Sequence, residues 1–99
     1  MSNKIIHQQI LEKVNRLAYS STSNNELLSF ATEACSSISD QEAIDLDKKS
    51  KYKALIIQIR DKQIRPLFNE ELLVEEAKVM FTDAKESLAL FLKDYIRTN

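Results

Sequence analysis

The sequence predicts an all-α protein, an antiparallel four-helix bundle, on three observations. Apolar residues recur at helical spacing along most of the chain, side chains that cap helices punctuate those runs, and the chain contains no glycine. Roughly seven glycines are expected in 99 residues of ordinary composition. Their absence removes the residue that permits left-handed turns and close backbone approach, and with it tight hairpins, phosphate-cradling loops and nucleophile elbows. A chain of this length supports one core, so residues 1–99 are expected to form a single domain.

The first helix is predicted over 3–19. Ile6, Ile10, Val14 and Leu17 form its stripe, widened by Leu11 and Ala18, while Lys4, Glu12, Lys13 and Arg16 lie off it. The Ser/Asn-rich segment 20–25 follows and ends in Ser23-x-x-Glu26, a capping-box pattern, so a second helix is expected over 24–38. Leu27, Ala31, Ala34 and Ile38 are its core face, flanked by Leu28, Phe30 and Cys35. A second capping box, Ser39-x-x-Glu42, opens helix three, predicted over 40–65 with Ile44, Tyr52, Leu55, Ile56 and Ile59 inward. Pro66 disfavours helix at the residue before it and closes the element. Asn69 reads as an N-cap with Glu70 and Glu71 in the first turn, and helix four is predicted over 70–96. Leu73, Ala77, Met80, Ala84, Leu88, Phe91 and Tyr95 track its core face, with Val74, Phe81 and Leu92 beside them. Without glycine, Asn or Ser is expected to leave each helix C-terminus in a strained conformation.

The chemistry-bearing residues point away from catalysis, and no enzyme is expected. The one histidine, His7, reads as half-buried at a bundle end, and the one cysteine, Cys35, as a structural thiol among apolar neighbours. No HxxxH, CxxC or ExxH pair occurs, so neither a metal nor another cofactor is expected. Asp45-Leu46-Asp47 opens like a calcium loop but lacks the sixth-position glycine and runs into lysines. Neither a signal peptide nor a membrane span is legible, which predicts a cytoplasmic protein.

A net charge of −1 conceals blocks. Residues 24–47 carry six acids and no base, residues 48–66 carry a net +6, and residues 67–88 a net −4. Beside these blocks run second apolar stripes. On helix three Ile57 and Ile64 share a strip with Lys53 and Arg60; on helix four Leu72, Val79 and Leu90 are bordered by Glu75, Glu76, Asp83 and Glu86. These eleven residues are the candidate partner-binding set.

Length and the four-helix reading are similar, in architecture alone, to small bacteriocin immunity proteins, and the Lys/Asn/Ile/Ser-rich composition hints at a bacterial or phage source. The expected function is accordingly that of a protein-protein interaction module that binds and inhibits or neutralises a partner, of the immunity, antidote or phage-inhibitor type. Two alternatives follow from the charge blocks. One is a homo-oligomeric scaffold, in its simplest form a dimer, in which the acidic strip of helix four meets the basic strip of helix three on another copy. The other is a nucleic-acid-associated regulator using the basic segment 48–65, although the acids at the start of helix three would repel phosphate in a helix-turn-helix.

Overall fold

A computed structural model describes residues 3–20, 22–39 and 45–98. The described residues form an antiparallel bundle of four helices and contain no strand. Helix α1 spans Asn3–Arg16, α2 Ser23–Ser39, α3 Leu46–Gln58 and α4 Val74–Thr98. Between α3 and α4 the chain stays helical but changes its winding, through a π-helical turn Ile59–Ile64 and a 3-10 turn Arg65–Phe68. Around the bundle α1 lies beside α4 and α2, while α3 with its π turn lies beside α2 and α4.

The core is built by the stripes the sequence displays. Ile10 and Val14 of α1, Leu27, Ala31, Ala34 and Ile38 of α2, and Phe81, Ala84, Leu88 and Leu92 of α4 are buried together. A fully buried aliphatic side chain contributes about 1.5–3 kcal/mol, so these three stripes supply much of the stability. The alanines of α2 have no bulk to hold a neighbouring helix away. At one end of the bundle the rings of His7 and Tyr95 stack with centroids 4.2 Å apart. Tyr52 meets Tyr95 edge-on at 5.0 Å and its hydroxyl lies 2.6 Å from the Thr98 hydroxyl, joining α3 to the end of α4. His7 is therefore fully buried rather than half-buried. It takes the inward position on α1 beside Ile10 and Val14, leaving Ile6 at the margin.

Helix ends differ most from expectation. Helix α1 stops at Arg16, three residues early; the Leu17 amide bonds the Val14 carbonyl in a tightened last turn, and Ala18 is exposed. The Ser23 hydroxyl does not form the expected capping box. It donates to the Ser20 carbonyl and accepts from the Ser20 amide, both at 2.9 Å, which pins the loop before α2. Helix three begins at Leu46, behind an extended Asp45, and so does not run unbroken from 40; Ile44 and the Glu42 half of the second capping box lie outside the described residues, while the Ser39 hydroxyl donates to the Cys35 carbonyl. Asn69 caps a turn rather than a helix: its side-chain oxygen accepts the Glu71 amide at 3.0 Å and its carbonyl the Leu72 amide at 3.3 Å. Helix α4 consequently begins at Val74, four residues late, and Leu73 and Val74 are exposed instead of buried.

None of the described residues has positive φ. The strained Asn or Ser exits expected of a glycine-free chain do not occur among them. Tightened turns replace those exits at Leu17 and at Arg65–Phe68, after which Asn69 is extended. The carbonyl of Leu17, left over at the end of α1, accepts the Lys85 ammonium of α4 at 2.7 Å.

Candidate functional site

The π turn decides which side chains of the third helical segment reach the surface. In an uninterrupted α-helix, Gln63 would lie about 20° from Ile56 around the axis and Ile64 about 80°. The π turn places more residues in each turn and so lets the chain fall back in rotation. Ile64 thereby joins Ile56 in the core, fully buried, and Gln63 is left at the margin. Ile64 is thus a core residue and leaves the predicted partner strip.

The remainder of that strip is not an open surface. Lys53, Ile57 and Arg60 are each half-buried. The Arg60 side chain is 24% exposed. Its guanidinium pairs with Asp61 at 2.9 Å, and Asp61 also receives Arg65 at 2.8 Å. The hydrogen bond that Arg60 donates to Asp61 raises the Arg60 pKa above its ordinary value. Hydrogen bonds from Arg60 and then Arg65 lower the Asp61 carboxyl to about 2. The one carboxylate of the basic block therefore engages two of its seven cations. Cys35 itself is half-buried against the core, and Leu72 sits half-buried in the turn before α4, off the helical strip it was expected to extend.

The strip on α4 does reach solvent. Val79 is 61% exposed and Leu90 58% exposed. Eleven residues separate them, three turns of helix, so they lie on one line along the side of α4 turned away from the core. Glu75, Glu76, Asp83 and Glu86 are exposed around that line, and none of them enters an ion pair among those described. The two predicted strips are therefore not equivalent: Val79 and Leu90 are exposed, whereas Lys53, Ile57 and Arg60 are half-buried and Ile64 is buried.

Sequence reasoning missed a further surface. Leu55, expected in the core, is 41% exposed on the flank of α3 that faces α4. With Ile59 and Lys62 it forms one wall of a shallow cleft of about 470 Å³, and Ser87, Leu90 and Asp94 form the other. Towards the start of α4 the cleft continues between Lys62 and Asp83. The signal was present in the Leu55/Leu90 pair, but only the packing angle of α3 on α4 shows that these residues share a face.

The described residues assemble no group of three His, Cys, Asp or Glu side chains able to hold a metal ion, and no helix among them is long and apolar enough to cross a membrane. What the arrangement offers chemically is surface: a line of exposed aliphatic side chains in an acidic frame, and a cleft with Lys62 opposite carboxylates. Compared with known proteins, the chain matches no family model, no curated protein and no solved structure.

Proposed function

We propose that the chain is a cytoplasmic protein-protein interaction module that acts by binding, and so inhibiting or neutralising, a partner protein through the outer side of α4. The observation that carries this reading is Val79, an aliphatic side chain 61% exposed at the centre of Glu75, Glu76, Asp83 and Glu86. An apolar residue held in water gains about 1–2 kcal/mol when a partner covers it, and a surround in which four acids outnumber the adjacent Lys78 favours a partner with basic residues around its own apolar contact. The surrounding α4 is held by eight buried side chains, so the surface is presented on a rigid element.

The test is affinity capture from the source cell with the tagged chain and with Val79→Glu, each verified as helical by circular dichroism. A protein captured by the parent chain and lost with Val79→Glu, then reproduced with purified components, supports the assignment. The same proteins captured by both, or none by either, refutes it.

A further inference from the structure

We propose that the face formed by α3 and α4 is a self-association surface, on which a second copy of this chain docks about a two-fold axis running along the cleft. The proposal does not rest on the partner-binding reading, whose central residue is Val79.

Three observations carry it. First, the cleft brings together apolar side chains that a monomer leaves in water: Leu55 at 41% exposure from one wall and Leu90 at 58% from the other. Second, the two walls carry one pair of opposite charges at a matched height. Lys62 lies at the height of Asp83, because both line one end of the cleft. Leu55 lies at the height of Leu90, which lines the other end; Asp94 beside it is already paired with Arg97 at 2.7 Å. Third, size does not forbid it. The molecule's 43 Å and 23 Å extents set an upper bound of about 1,000 Å² on a face, above the roughly 800 Å² per partner of a standard interface.

The symmetry follows from the charge. A two-fold axis across the helices would set α4 on α4 and bring acids against acids. A two-fold axis along the cleft exchanges the walls and keeps the heights, so α3 of each copy lies on α4 of the other. Lys62 then meets Asp83 of the second copy and Leu55 meets Leu90, with each contact made twice. Opposite charge in this arrangement fixes the register of an otherwise smooth apolar contact.

The experiment is sedimentation equilibrium on the full chain at about 100 μM, above the Kd of ordinary specific contacts. The expected mass is twice the 11.4 kDa of the chain, falling to that of a monomer with Leu55→Glu while helicity is retained, because Leu55 is a surface residue. Lys62→Glu alone and Asp83→Lys alone each place like charges together twice in a homodimer, and both are expected to be monomeric. An equimolar mixture of the two restores both pairs between unlike copies and is expected to recover the dimer mass. A monomeric parent chain overturns the proposal, as does a dimer unaffected by Leu55→Glu or a charge-reversed mixture that stays monomeric. Leu90 lies on the same line as Val79, so the two readings are separated from the α3 side: Leu55→Glu is expected to abolish the dimer while leaving capture of a partner by the α4 surface intact.

Discussion

Truncating Ile64 to alanine should destabilise the fold far more than the same truncation at Gln63, and the contrast measures the register imposed by the π turn. Ile64 is fully buried and belongs to the main cluster with Ile56, Leu88 and Leu92. The substitution removes three carbons, worth about 0.8 kcal/mol each in transfer free energy. A residual cavity of order 50 Å³ adds about 1 kcal/mol more. The expected loss is therefore about 3–4 kcal/mol, a large share of the 5–15 kcal/mol that holds a typical domain. Gln63 lies at the margin of the cleft, and its truncation should cost no more than about 0.5 kcal/mol. Urea unfolding followed by circular dichroism reads both, as a shift in midpoint at unchanged slope. In a chain of 99 residues the Ile64→Ala loss also corresponds to a melting point lower by roughly 12–25 °C. An equal or larger effect at Gln63 would mean that the helix runs through in α register, and would refute the account of how Ile64 leaves the surface.

Three further outcomes are expected. The Asp61 carboxyl should titrate near 2 when followed by NMR, because hydrogen bonds from Arg60 and Arg65 hold it there; the stabilisation it brings is present above the ordinary carboxylate value and is lost as pH falls through about 2, and a midpoint near 4 would show the pairs to be absent in solution. Burial raises the Tyr95 phenol above 10, with Tyr52 adding to it, so tyrosinate absorbance should show one ring titrating late; its contribution to stability is complete below the ordinary value and is lost as pH climbs through the raised one, and three tyrosines titrating together would contradict the packing. Lys85→Met should cost about 1 kcal/mol by removing the ammonium that caps the Leu17 carbonyl, with faster amide exchange confined to the end of α1; unchanged exchange there would show that water serves that carbonyl equally well.

The exposed surfaces divide by chemistry. The acidic line on α4 suits a basic partner, while the cleft between α3 and α4 carries both signs and suits a copy of itself. Asp83 stands between the two surfaces, so a bound partner and a second copy would influence one another there through charge.

Much of the fold was legible before any coordinates. The stripes Leu27/Ala31/Ala34/Ile38 and Ala77/Phe81/Ala84/Leu88/Leu92 were readable because an amphipathic helix repeats its apolar residues every three to four positions whatever it packs against. The sequence by itself therefore determined the four helices, the main faces they bury and the segregation of charge into blocks. It also determined that the core has no catalytic constellation of the kinds built on glycine loops. Only the tertiary structure decided where the helices end, because Ser23 and Asn69 choose among several nearby amides and carbonyls, and the choice depends on how the loop crosses the bundle. Tertiary packing also decided the fate of the second stripes. One π turn rotates Ile64 into the core, Lys53, Ile57 and Arg60 are left half-buried, and the angle of α3 on α4 exposes Leu55. Periodicity records which residues share a side of one helix; which sides meet water is set by the neighbours, and those are assembled from segments far apart in the chain.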